Sequence, residues 1–321
     1  MRKNEKQSEE TDRRGVMERL QSLSFGKKLG LLIAVLVCVS ILGMLWVSSW
    51  EQEQKQIVVT AHRGVSVSAP ENTIPAFKLS IQKGAEYAEL DVQMTKDGVA
   101  VLTHDTNLRR CTGLNANVYD LTYAEVRELD AGKFFSVRFA GTKIPTLDEV
   151  LRLCKGRIKL NIEIKPSEKT PTLEAEVVRL IQKYGFEEDC TVTSKSRETL
   201  AKVKSLEPRI RTGLITTLGF LTFQDGKEID FFSIDNSAIT VLTVWQAHLR
   251  GKTVSAWTVD QEEDIERMIR LGVDDIITND PERVQQALRS RQKIEEETDL
   301  WDILEEVYPE EDTDSSVQDD A

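Results

Sequence analysis

The chain has 321 residues, a net charge of −12, 40% hydrophobic and 30% charged residues. That is the composition of an ordinary globular protein with enough chain to bury a full core, and the acidic balance, with no basic patch, argues against nucleic acid as a partner. Cys38, Cys111, Cys154 and Cys190 lie far apart without a CxxC, which excludes a disulfide framework and a zinc signature.

Residues 1–28 form a polar N-terminal segment carrying Arg13, Arg14, Arg19, Lys27 and Lys28. Residues 29–50 follow without a single charge. At about 1.5 Å per residue such a run is long enough for a helix to cross a hydrocarbon core of about 30 Å. It is longer than the apolar region of a signal peptide, and Val47-Ser48-Ser49 makes a poor cleavage site. An uncleaved transmembrane helix is therefore expected. The basic flank predicts a cytoplasmic N-terminus and an extracytoplasmic main domain, with Trp46 and Trp50 at the interface.

From residue 56 to 292 short β-branched runs alternate with helical periods. The expected strands are 57–61, 87–92, 158–164, 191–194, 210–215, 231–234, 253–258 and 275–278. Helices are expected over 73–82, 173–184, 197–206, 241–250, 262–271 and 281–291. Eight strands separated by helices predict an α/β fold, a (β/α)8 TIM barrel. An open doubly wound sheet is the rival, without a GxGxxG to support it. An additional strand at 99–103 leads into about 40 residues without a βα repeat, read as an insertion (about 106–145) after strand two. Loops at that face of a barrel often build the site. The acidic tail, 293–321, lacks the apolar content to fold alone.

Charged residues inside strands single out the chemistry. Glu89-Leu90-Asp91 places two carboxylates on one face of a strand. They are either a pair aimed into a barrel mouth, where a hard divalent cation would offset their repulsion, or two exposed acids on an edge strand. In Asn161-Ile162-Glu163-Ile164-Lys165 the polar residues again share a face. Parallel barrel strands usually read as continuous apolar runs, so these charges point to function. Of the three histidines, His62 and His104 end strands beside charged residues, whereas His248 sits on a helix and is read as a surface residue. Histidine is the natural proton shuttle near neutral pH. Arg63, next to His62, is suited to grip a phosphate.

In order along the chain, His62-Arg63-Gly64, Ala69-Pro70-Glu71-Asn72-Thr73, Glu89-Leu90-Asp91-Val92, Lys96-Asp97-Gly98, His104-Asp105, Ile144-Pro145-Thr146-Leu147, Glu163-Ile164-Lys165, Trp257-Thr258-Val259 and Gly272-Val273-Asp274 resemble the glycerophosphodiester phosphodiesterase family. The resemblance implies metal-dependent hydrolysis of a glycerophosphodiester to sn-glycerol 3-phosphate and an alcohol. It casts His62 and His104 as the acid/base pair, and Glu89, Asp91 and Glu163 as ligands of one divalent ion, Ca2+ or Mg2+. Arg63 and Lys165 would neutralise the phosphate, Glu71 would support the first histidine loop, and Trp257 would line the pocket. Asp275 stands where the family pattern leads one to expect glycine. The rival functions are a lysophospholipase D-like hydrolase of membrane lysophospholipids and a catalytically inactive, membrane-tethered binding module.

Overall fold

The computed structural model describes residues 56–218 and 226–297, together with Ser24, Gly26, Lys27, Gly30, Val37 and Ser40. Among the described residues no helix is long and apolar enough to cross a membrane. The 29–50 run, apart from Gly30, Val37 and Ser40, lies outside them, as does the tail beyond 297. The chain divides into two units, 1–56 and 57–321, and all that follows concerns the second.

Eight strands close into a parallel barrel: β1 (Val58–Ala61), β2 (Tyr87–Met94), β4 (Lys159–Ile164), β5 (Cys190–Ser194), β6 (Arg211–Thr216), β7 (Phe231–Asp235), β8 (Thr253–Trp257) and β9 (Asp275–Thr278). Closure is made by β1, which pairs in parallel with both β2 and β9. The open-sheet rival is thereby excluded. Alternate strand residues face outward onto a ring of helices. Leu90, Leu160, Ile162 and Val192 on these outward positions are fully buried, each stabilising the fold by about 1.5–3 kcal/mol. Inside the barrel, Gly213 makes room for Phe231, because a Cβ there would stand 2.3 Å from the Phe231 ring.

The additional strand, β3 (Ala100–Leu102), pairs antiparallel with β2 and is shorter than the sequence suggested. Beyond it the insertion is more ordered than its sequence suggested. It holds α2 (Arg109–Thr112) and α3 (Tyr123–Glu128), packed on a core of their own from Val101, Leu108, Val118, Val126 and Ile144. A further helix, α4 (Leu147–Cys154), escaped the sequence reading. Its signal was the capping box Thr146–Glu149, which satisfies the amides at the helix start. The last helix, α9 (Pro281–Glu297), extends past 292, so the acidic segment begins as helix. His248 is not a free surface residue. Its Nε2 lies 2.8 Å from Asp274 Oδ2, and the ring is half-buried.

Candidate active site

Every inward carboxylate of the predicted set sits at the carboxyl end of the barrel, because β2 and β4 run in register with Asp91 opposite Glu163. Glu89 and Asp91 belong to a barrel strand and are almost fully buried, so the edge-strand reading fails. Glu89, Asp91 and Glu163 each offer an oxygen within 4.8 Å of the others. Asp91 accepts a hydrogen bond from Asn72 Nδ2 at 2.7 Å, and its Oδ1 lies 3.0 Å from Lys165 Nζ. Lys165 Nζ also donates to Glu163 Oε1 at 2.8 Å. Glu89 accepts the backbone N–H of Arg63 at 2.8 Å.

The three acids are perturbed in opposite directions. Burial pushes the Asp91 carboxyl up, but Lys165 and Arg63 outweigh it and draw its pKa down to about 2. Burial and the neighbouring Asp91 and Glu163 carboxylates push Glu89 well above the usual range. Glu163 is likewise raised, by burial and then by Asp91. Carboxylates forced together in this way are relieved by a cation, and an all-oxygen donor set suits a hard divalent ion. The residues present therefore fit a metal.

The turn after β1 carries His62 and Arg63. Arg63 has φ +53°, an uncommon conformation for a side-chain-bearing residue. Gly64 follows at φ +77°, where a Cβ would stand 2.6 Å from the Ala76 Cβ, so only glycine fits. The Asn72 amide closes the turn onto the Arg63 carbonyl at 2.9 Å. His62 Nδ1 meets Asn279 Oδ1 at 2.8 Å, and Asn279 is held in turn by Asp260 through its side-chain and backbone N–H groups. Burial, and then the adjacent Arg63 charge, lower the His62 pKa.

His104 is built differently. Its Nδ1 lies 2.7 Å from the Asp105 carboxylate, and its backbone carbonyl accepts from the buried Gln93 amide at 3.1 Å. Asp105 is gripped by Arg110 Nε at 2.5 Å, while the two terminal nitrogens of Arg110 fork onto Glu71 at 2.8 and 2.7 Å. Glu71 also takes Arg63 Nη1 at 3.0 Å. Burial raises the Glu71 pKa, but Arg110 outweighs it and the net shift is downward. Glu71 thus bridges two arginines and does not touch His62 itself.

His62, Arg63, Glu89, His104, Glu163, Lys165 and Trp257 line one cavity. Asp91 and Glu71 do not line it and meet it through Lys165 and Arg63. The indole Nε1 of Trp257 is buried without a hydrogen-bond partner, a donor ready for an oxygen of a bound molecule. Sequence reasoning missed Arg110, Asn279, Asp260 and the lining residue Lys195. Lys195 was the one open to detection, since it continues the inward alternation of Thr191 and Thr193 on β5. The other three meet the histidine loops only through tertiary contacts.

The sequence profile described as "Glycerophosphoryl diester phosphodiesterase family" matches residues 62–283. A protein of Caldanaerobacter subterraneus subsp. tengcongensis named glycerophosphodiester phosphodiesterase is 39% identical over 237 residues, 72% of this chain and 98% of its own. A solved Oleispira antarctica phosphodiesterase in complex with the product sn-glycerol-3-phosphate superposes with TM-score 0.68 at 28% identity, covering 72% of this chain and 96% of its own. A crystal structure of a Silicibacter pomeroyi protein gives TM-score 0.68 at 28% identity over 74% of this chain and 95% of its own.

Proposed function

From its place in the glycerophosphoryl diester phosphodiesterase family, to which the chain belongs, we propose the division of labour by which this phosphodiesterase acts. The reaction is hydrolysis of a glycerophosphodiester to sn-glycerol 3-phosphate and a free alcohol. The carrying observation is the contrast between the two imidazoles. Both Nδ1 atoms are engaged, which leaves Nε2 of each ring to exchange a proton with the substrate. Asn279 is a neutral acceptor, and burial disfavours a charged His62 ring. His62 therefore rests neutral and takes the proton of the attacking oxygen, from water or from a hydroxyl of the substrate's glycerol. Asp105 is an anion, held so by Arg110, and fixes the His104 ring through Nδ1. His104 gives its proton to the leaving alkoxide, which is otherwise a poor leaving group.

Glu89, Asp91 and Glu163 would hold a divalent ion, Ca2+ or Mg2+, which when bound offsets phosphoryl charge and stabilises its growth in the transition state. Lys165 presents its ammonium beside these acids. Arg63, fixed by Glu71, lies at the cavity wall, where it complements a phosphate oxygen. Trp257 donates its free N–H to a substrate oxygen.

A p-nitrophenol leaving group, which departs without a proton, separates the roles. His104→Ala should lose roughly 10²–10⁴-fold in kcat on an alkyl diester and retain most activity on the nitrophenyl ester. His62→Ala should lose activity on both. The opposite pattern would exchange the two assignments.

The 29–50 run is proposed as a membrane anchor with the barrel on the extracytoplasmic side, supported by its length, lack of charge and basic flank. Full protection of the barrel from protease added to intact cells would overturn that orientation. Lysophospholipid hydrolysis is the second reading. It is favoured by the exposed apolar side chains Leu114, Phe134, Phe135 and Val137 on the insertion, and release of lysophosphatidic acid from a lysophospholipid tests it.

A further inference from the structure

One cation at the cavity has no part in the reaction above. Lys195 lines the pocket from the end of β5 and is exposed at its rim. The register of β4 and β5 pairs Glu163 with Thr193, so Lys165 and Lys195 occupy the next inward positions on neighbouring strands, which lie about 4.8 Å apart. The two lysines are used differently. Lys165 is turned down onto Asp91 and Glu163. Lys195 makes no hydrogen bond or ion pair with any described residue. Its charge is felt at Glu163, but its ammonium is not spent there.

The rest of the cavity sharpens the point. Its lining carboxylates, Glu89 and Glu163, are committed to the Arg63 amide and Lys165. Among the described residues its lining holds one indole, Trp257, and no aromatic cage of the kind that holds a quaternary ammonium. Among the described lining residues a cationic head group would meet Lys195 and no uncommitted anion. The glycerol phosphate half, common to all substrates, is small and suits the wall of Ile215, Trp257 and Ile277. With the glycerol phosphate so placed, the variable alcohol would extend to the exposed rim, where Lys195 stands.

We infer that Lys195 selects the head group: the enzyme prefers glycerophosphodiesters whose alcohol carries a further anionic group over those with a cationic one. The inference rests on the phosphodiesterase reading and deepens it. Neither Glu89, Asp91, Glu163 nor either histidine is needed for this choice. Lys195 acts on the substrate by charge alone, and its influence falls as salt screens it.

The test compares kcat/KM of the full-length chain on glycerophosphocholine, glycerophosphoinositol and glycerophosphoinositol 4-phosphate, reading glycerol 3-phosphate. The wild type should favour the 4-phosphate over the neutral polyol, and the polyol over choline. Lys195→Gln should shrink each step by about threefold to fivefold, the scale of an exposed charge pair. Lys195→Glu should shift the ratio of choline to 4-phosphate further, by roughly tenfold or more. Lys195→Arg should keep the wild-type order. Ratios within one variant cancel any loss of folded protein. Hydrolysis of all three substrates with ratios unchanged in Lys195→Gln and Lys195→Glu would overturn the inference and leave the phosphodiesterase reading intact. Release from none of the three by the folded wild type would overturn both.

Discussion

Arg110 should be worth far more to catalysis than to stability. Its guanidinium touches no residue of the cavity wall except through others: Nε holds Asp105, which holds His104, and the terminal fork holds Glu71, which holds Arg63. The side chain is 50% exposed, with Glu71 at 24% and Asp105 at 33%. Pairs this exposed contribute at most about 1 kcal/mol each, so Arg110→Ala should unfold at nearly the wild-type denaturant midpoint. The kinetic cost is set by position. A catalytic group misplaced by about 1 Å loses on the order of 10²-fold, equivalent to about 2.7 kcal/mol of barrier. Arg110→Lys cannot make the fork and bridge both acids at once, so it should recover only part of the loss. The assay is a double-mutant cycle in kcat/KM. Glu71→Gln and Asp105→Asn should be non-additive in the Arg110 enzyme and additive in Arg110→Ala, because the bridge between them is gone. Wild-type turnover in Arg110→Ala, or additivity in the Arg110 enzyme, would refute the idea that one arginine aligns both loops.

Asp275 should make folding stability depend on pH. Burial, opposed by hydrogen bonds from Thr60 and Ser255, raises its pKa to about 7. The folded state keeps a proton that the unfolded chain releases near its ordinary value. The contribution is therefore complete below about pH 4 and lost as pH climbs through about 7, and is on the order of 4 kcal/mol. Asp275→Asn should narrow the difference between unfolding midpoints at about pH 5 and about pH 8, and an unchanged difference would place the proton elsewhere. Metal addition should raise the melting temperature and EDTA should reverse it, with glycerol 3-phosphate release following the same titration. The gain should weaken as pH falls, since the raised pKa values of Glu89 and Glu163 let protons compete earlier with the ion for the same oxygens. A thermal shift in Glu89→Gln equal to that of the parent would remove Glu89 from the metal set.

The barrel and the centre of its site were legible because both follow from short-range periodicity. Glu89 and Asp91, and Asn161, Glu163 and Lys165, stand two apart on strands, so each set faces one way whatever surrounds it. The positions joined by tertiary contact were not legible. Asn279 reaches His62 across 217 positions of sequence, and no local pattern marks it. Arg110 sits on a four-residue helix in a segment without a βα rhythm. Its partners Glu71 and Asp105 were visible in motifs, but nothing in the sequence joined them. α4 was missed for a different reason. It is only eight residues long, too short for periodicity to declare itself, although its capping box was in plain view.

Two aspartates mark where the boundary falls. Asp91 and Asp275 both lie on inward positions of parallel strands, the first buried and the second half-buried. Alternation assigns that much to each. Asp91 at the carboxyl end has Lys165, Arg63 and Asn72 around it, and its pKa is drawn down to about 2. Asp275, at the first position of β9, has two hydroxyls and further acids, Glu86 and Asp274, and its pKa rises to about 7. The first is a fixed anion suited to a cation and a phosphate ester. The second is an acid that keeps its proton until pH climbs to about 7 and below that has little charge to offer a ligand. Facing inward is a property of the strand; being charged is a property of the neighbours. The neighbours of Asp91 come from β4 and from the turn after β1, at the end of the barrel where the loops gather. That is why one aspartate belongs to the site and the other to the frame that holds it.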